Sequence, residues 1–156
     1  MKVDSKEIDL RVEHFKSVVK EAGLKLTHQR LEVFREVAST IDHPDATHVY
    51  NAVKDRLPTV SLDTVYRTLR TLSDLGLISM LGSSGESVRF DANLTQHHHF
   101  VCVKCGLVRD FENAELNALQ VQQDVQAFGT VLDTQIEVRG ICNSCKKKSN
   151  KADKSI

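Results

Sequence analysis

At 156 residues the chain is long enough for one large domain or two small ones, and 40% apolar with 27% charged residues is ordinary for a soluble globular protein. Twenty-one basic side chains balance twenty-one acidic ones, and residues 1–90 alone hold thirteen of each. A basic excess that neutralises phosphate is therefore excluded, and any nucleic-acid binding must come from local placement of cations or from bound metal ions. No apolar run approaches transmembrane length, and residues 1–23 form a charged helical pattern without a signal-peptide core. A cytoplasmic protein with no membrane partner is expected.

The spacing predicts a first helix over residues 5–22, with Leu10, Phe15, Val18 and Val19 on its apolar side and Gly23 as its stop. Thr27 reads as the N-cap of a second helix carrying Leu31, Val33, Phe34 and Val37. His43-Pro44 breaks the chain. Pro44 suits the first turn of a third helix through Ala46, Val49, Tyr50 and Val53, which ends before Pro58. Ser61 caps a fourth helix with Val65, Leu69, Leu72 and Leu75 inward and Gly76 as its stop. L-I-S-M-L and S-V-R-F-D around G-S-S-G-E read as a β-hairpin. Helices followed by a hairpin give the order of a winged helix-turn-helix DNA-binding domain, assigned to residues 1–88, whose fourth helix enters the major groove. Thr64, Tyr66, Arg67 and Arg70 lie on its outer side for groove or phosphate contacts, with Arg67 suited to guanine edges. Arg70 has the alternative of a surface ion pair with Asp74.

Beyond Asp91 the pattern changes. Strands are expected at 98–103 and 107–111 around a Cys102/Cys105 turn, then a helix over 112–128 ended by Gly129. In residues 130–139, Thr134, Ile136 and Val138 alternate with Gln135, Glu137 and Arg139, as in a strand with one buried face. Residues 89–148 form the second domain, and the basic tail 149–156 is expected to be disordered. The whole is α+β.

C-V-K-C at 102–105 and C-N-S-C at 142–145 pair two C-x-x-C knuckles. Four thiolates complete the closed tetrahedral shell that holds structural zinc, so Cys102, Cys105, Cys142 and Cys145 are the expected ligands. A disulfide or a thiol redox switch is the alternative. The triplet His97-His98-His99 does not fit into a shell already full. In an extended strand His97 and His99 share one face and His98 takes the other. Asp91 and Asp110 flank them in sequence. Imidazole and carboxylate without sulfur suit Fe(II), Mn(II) or Zn(II); a surface histidine run is the bland alternative.

L-T-H-Q-R at 26–30, H-P-D-A-T-H-V-Y at 43–50, D-T-V-Y-R-T-L at 63–69, R-F-D at 89–91, H-H-H-F-V-C-V-K-C-G at 97–106 and G-I-C-N-S-C at 140–145 occur together and in this order. In these segments the sequence resembles the ferric-uptake-regulator (Fur) family of metal-dependent repressors, over about residues 8–148. The resemblance implies an N-terminal winged helix joined by a hinge to a C-terminal α/β dimerisation domain, and a homodimer on double-stranded operator DNA. It implies a structural zinc on the four cysteines and a regulatory Fe(II) or Mn(II) held by His43, Asp91, His97, His99 and Asp110. It adds Lys25, ahead of the second helix, to the DNA contacts. Asp at position 110, where iron-uptake members carry Glu, resembles the peroxide-sensing PerR branch. That branch responds to hydrogen peroxide through Fe(II)-mediated oxidation of a ligand histidine, with His43 and His97 the implied targets. Two departures stand out: no histidine follows His99, so a further metal site of some relatives is not expected, and Arg67 stands where some peroxide-branch members carry Asn.

A paired half-site arrangement calls for a symmetric dimer, with Leu116, Leu119, Val125 and the strand at 130–139 as its expected interface. An iron- or zinc-responsive uptake regulator without peroxide sensing is the nearest alternative. A zinc hydrolase or deaminase is a different class, but no H-x-E or H-E-x-x-H arrangement is present, so no enzyme is expected.

Overall fold

Each of the first four helices opens on a side chain that accepts from its first turn. In the computed structural model, which describes residues 3–82, 88–121 and 123–152, Asp4 caps α1 (Ser5–Glu21) and Thr27 caps α2 (His28–Ala38). Asp45 caps α3 (Ala46–Lys54) and Ser61 caps α4 (Leu62–Asp74). Such caps satisfy backbone donors that the helix itself cannot reach. Gly23 and Gly76, at φ 69 and 70, end α1 and α4 in the left-handed conformation that glycine adopts without steric cost. Strand β1 (Ser79–Leu81) pairs antiparallel with β2 (Arg89–Asp91), Ser79 opposite Asp91. The expected turn of that hairpin falls on residues 83–87, outside the described residues.

The core of this first unit is apolar and continuous. Phe15 of α1 stacks on Phe34 of α2, ring centroids 4.7 Å apart, among Val19, Val37, Val49, Val53, Val65, Leu69 and Leu72. Burying each such side chain contributes roughly 1.5–3 kcal/mol. Leu10, expected inward, is 72% exposed. Pro44 does not enter the first turn of α3, because Asp45 takes the cap and accepts from the His48 N–H at 2.8 Å.

The second unit is built on one short sheet, ordered β4-β3-β5. β3 (His98–Cys102) pairs antiparallel with β4 (Val108–Phe111) and parallel with β5 (Glu137–Gly140). α7 (Asn143–Ala152) follows β5. Three expectations change here. The helix over 112–128 is two single turns, α5 (Ala114–Asn117) and α6 (Gln123–Gln126), since helices this short gain little without a packed face. The strand over 130–139 shrinks to β5, the length that β3 can pair, and Val138 on its supposed buried face is 42% exposed. Helix α7 runs past position 149, where a disordered tail was expected to begin; residues 153–156 of that tail lie outside the described residues.

The chain divides into residues 1–94 and 95–156. The boundary lies after β2 instead of before it, because β2 is held by β1 and by a bridge between Asp45 and Arg89. Asp91 therefore belongs to the first unit.

Candidate functional site

The four cysteines converge within the second unit. Their sulfur atoms all lie within 4.8 Å of one another, and Cys105 Sγ is 3.7 Å from Cys142 Sγ. Ligands about 2.3 Å from a tetrahedral zinc stand roughly 3.8 Å apart, so the cage has the size of that ion and is far too open for a sulfur–sulfur bond of about 2.05 Å. Local geometry explains the convergence. The first knuckle is closed by the Cys102 N–H donating to the Leu107 carbonyl at 2.8 Å and by the Gly106 N–H donating to the Cys102 carbonyl at 2.9 Å. Gly106 sits at φ 70, a conformation the knuckle requires and side chains disfavour. Parallel pairing of Cys102 with Gly140 then brings the second knuckle alongside. A Cβ on Gly140 would lie 2.9 Å from the Phe100 ring, so a side chain there would have to displace that ring for β5 to keep its place beside β3.

The Cys142 N–H donates to Cys102 Sγ at 3.3 Å, and this bond, with those of the Cys105 and Lys104 N–H groups, pulls the Cys102 thiol down to about 6 against the opposing effect of burial. Cys145 goes the other way, to about 12, because its hydrogen bonds to the Cys105 and Cys142 sulfurs favour the protonated thiol. One thiolate is thus prepared by the backbone, while the last to ionise does so against its neighbours. A divalent cation at the centre is what four such sulfurs suit.

A second cluster starts on the same strand. The β3–β4 register sets Asp110 directly opposite His99. His97 Nε2 approaches His99 Nε2 at 3.0 Å; Asp110 Oδ1 lies 3.3 Å from the latter and 3.7 Å from the former. Ligands about 2.1 Å from one ion at right angles are roughly 3.0 Å apart, so the three atoms have the separation of neighbours in one coordination shell. His97 Nδ1 donates to the Thr95 carbonyl at 2.6 Å, which fixes the tautomer that leaves the Nε2 lone pair for the cluster. His98 points elsewhere, as strand alternation requires. It is fully buried against Phe111, and its Nδ1 accepts from the Ile136 N–H at 3.3 Å.

In the first unit, His43 and Asp91 meet on their own. His43 Nε2 is 3.4 Å from Asp91 Oδ2, and both residues are buried. His43 holds φ 49, a left-handed conformation that is costly for a residue with a side chain and more so before proline. Two bonds hold it there: Arg89 Nη1 donates to the His43 carbonyl at 3.2 Å, and the Phe90 N–H donates to the Pro44 carbonyl at 3.0 Å. Asp91 Oδ1 accepts from the Asn93 N–H at 2.7 Å, which fixes the carboxylate. The supporting residues Arg89 and Thr95 were not singled out in the sequence. The D-A-N of 91–93 carried a readable signal for its turn.

On the outer side of α4, Tyr66 is half-exposed, while Arg67 and Arg70 are exposed. Arg67 Nη2 pairs with Asp63 Oδ2 at 2.9 Å. Among the described residues Arg70 makes no ion pair with Asp74. Lys25 is exposed just ahead of α2, and its carbonyl accepts from Arg30 Nη1.

The sequence profile of the Ferric uptake regulator family matches residues 21–139. The chain belongs to the ferric uptake regulator family. The peroxide-responsive repressor PerR of Staphylococcus epidermidis is 33% identical over 151 residues, covering 96% of this chain and 100% of that one. Among solved structures, the ferric uptake regulator of Pseudomonas aeruginosa, determined with manganese, superposes with a TM-score of 0.67 at 30% identity, covering 82% of this chain and 97% of that one. The Helicobacter pylori regulator Fur superposes with a TM-score of 0.72 over 94% of this chain and 97% of its own; at 22% identity it speaks for the fold alone. The first unit is thus the winged-helix DNA-binding half of a ferric-uptake-regulator fold, and the second its dimerisation half. Among the described residues no helix is long and apolar enough to cross a membrane.

Proposed function

We propose that the protein is a metal-dependent repressor that binds operator DNA as a homodimer and releases it on oxidation by hydrogen peroxide. In this reading zinc on Cys102, Cys105, Cys142 and Cys145 maintains the second unit. A regulatory Fe(II) or Mn(II) takes His43 and Asp91 from the first unit and His97, His99 and Asp110 from the second. The observation that carries the reading is the convergence of His97 and His99, at the head of the strand that leads into the four-cysteine cage, with Asp110 of the neighbouring strand into a nitrogen and oxygen cluster without sulfur. The 33% identity to a peroxide-responsive repressor over 96% of this chain supports the branch.

The chain's own part is positional. Thr95 and Asn93 lock His97 and Asp91, and the Arg89 bond keeps His43 in its strained conformation. Each unit thus offers a preassembled half of the ligand set. An ion that binds the two halves together favours one arrangement of the reading head; with equal affinity for all arrangements it would shift nothing. When Fe(II) is bound it supplies the reduction of hydrogen peroxide, with one oxygen entering a ligand histidine and the other leaving as water. The oxidised imidazole is a poorer ligand, so the halves separate and DNA is released. The exposed apolar residues Leu119, Val125, Phe128 and Leu132 of the second unit supply surface for the dimer contact.

Peptide mass spectrometry of Fe(II)-loaded protein after micromolar peroxide tests this. One added oxygen on His43 or His97 is expected. Its absence, with DNA binding still under metal control, favours an iron- or zinc-responsive uptake regulator instead.

A further inference from the structure

Between the start of α2 and the side of α4 lies a polar cleft lined by Thr27, Gln29, Arg30, Thr64, Arg67 and Thr68, with Thr71 at its edge. It contains no metal-ligating residue; Gln29, Arg30 and Thr68 fall in the L-T-H-Q-R and D-T-V-Y-R-T-L segments, where the sequence assigned them no role of their own. Three features distinguish it from an ordinary groove between helices. First, the opening turn of α2, an eleven-residue helix, faces it. Thr27 Oγ1 accepts from the Arg30 N–H at 3.2 Å, while the His28 and Gln29 N–H groups have no acceptor within the helix, by the geometry of any helix start. Second, Arg30 is anchored by the Lys25 carbonyl, which accepts from its Nη1, so its cation is held beside that turn. Third, Thr68 is only 6% exposed, and its hydroxyl makes no hydrogen bond among the described residues although it lines the cleft.

A hydroxyl buried in a helix usually bonds back to the preceding turn, as Thr71 does to the Arg67 carbonyl at 3.0 Å. Thr68 does not, and its oxygen is not sealed from solvent: it stays open to the cleft, where a ligand can meet it. Backbone donors at a helix start, a fixed guanidinium and a waiting hydroxyl together describe a seat for a tetrahedral oxyanion. Arg67 adds a second cation at the rim, shared with the exposed carboxylate of Asp63.

We propose that this cleft seats one phosphate of the operator backbone, with Arg30 and Thr68 as its main ligands. The inference rests on the DNA-binding reading above and extends it: this contact fixes the docking of α4 without reading sequence. The phosphate chemistry is shared with free inorganic phosphate, and the experiment separates the two sources.

The test uses Mn(II)-loaded, zinc-replete full chain and fluorescence anisotropy over a salt series, with operator and unrelated duplexes. Arg30→Gln should weaken both duplexes by the same factor and reduce the slope of log affinity against log salt by about 0.9. Thr68→Val, which keeps shape and removes the hydroxyl, should weaken both about tenfold with the slope unchanged. Unchanged affinity and slope in both variants overturn the proposal. Should Arg30→Gln fold poorly, Arg30→Lys keeps the charge, and Thr68→Val carries the test alone. In duplexes with single neutral methylphosphonates, one position per half-site should cost the wild type but not Arg30→Gln; equal costs at every position overturn the assignment. Inorganic phosphate at matched ionic strength should compete for the seat, lowering wild-type affinity towards that of Arg30→Gln while leaving the variant unchanged. A ratio of wild-type to variant affinity already equal to one without added phosphate, in a protein whose thermal midpoint phosphate raises through Arg30, means that the seat serves a free anion, and the DNA assignment fails. If the wild-type protein binds neither duplex, the repressor reading itself has failed, which is a distinct result.

Discussion

Stripping zinc from the four-cysteine cage should unfold the second unit and leave the first one folded. The size of the effect follows from how little else holds that unit together. Among its described residues only Val108 joins Cys102 and Cys142 as a buried apolar side chain, whereas the first unit buries Phe15, Phe34, Leu69, Leu72 and many valines. One buried valine contributes about 1.5–3 kcal/mol. Structural zinc in comparable small folds contributes about 10–16 kcal/mol, as much as the whole stability of a typical domain, about 5–15 kcal/mol. Removal should therefore abolish the fold of residues 95–152 instead of softening it. Hydrogen exchange read by mass spectrometry resolves the two units. After a strong chelator has removed the zinc, amides of β3, β4 and β5 should exchange at the rate of unfolded chain, while those of α1, α2 and α4 keep their protection. Full protection of β3 in protein shown by metal analysis to be zinc-free would mean that the second unit holds its fold without the metal.

Leu69→Ala, at a fully buried position of α4, should destabilise the first unit by about 2–5 kcal/mol, read as a lower thermal midpoint of that unit. Ser61→Ala removes the side chain that accepts from the Thr64 N–H at 3.1 Å; it should cost about 1 kcal/mol in the same melt, and Ser61→Asp should restore it. Asp110→Asn keeps the shape but loses the charge facing His97 and His99. It should weaken Mn(II) binding at least tenfold in isothermal titration while the zinc content stays at the wild-type level.

Much of the fold was legible because its punctuation is local. Thr27, Ser61, Gly23 and Gly76 mark helix ends through their own side chains or backbone freedom, and each does so in the structure. The third helix start was misplaced because Pro44 and Asp45 are both good opening residues, and the cap that bonds the His48 N–H wins. Residues 112–128 failed for another reason. Leu116, Leu119, Val125 and Phe128 repeat at helical spacing, yet Leu119, Val125 and Phe128 are exposed in the single chain, so no core selects a continuous helix. The four cysteines and the shared face of His97 and His99 needed only spacing and strand alternation. His43 needed more: its value lies in a left-handed backbone held by Arg89, forty-six residues away in sequence, and nothing near His43-Pro44 announces that bond.

The central claim is that a regulatory cation, distinct from the zinc, controls the grip on DNA. Operator affinity measured on one zinc-replete preparation, with Mn(II) added and then selectively chelated, tests it most directly. Chelation should lower the affinity about 5–150-fold, a loss reversed by fresh Mn(II) and absent in His97→Ala. Equal affinity with and without Mn(II), at constant zinc content, would contradict it.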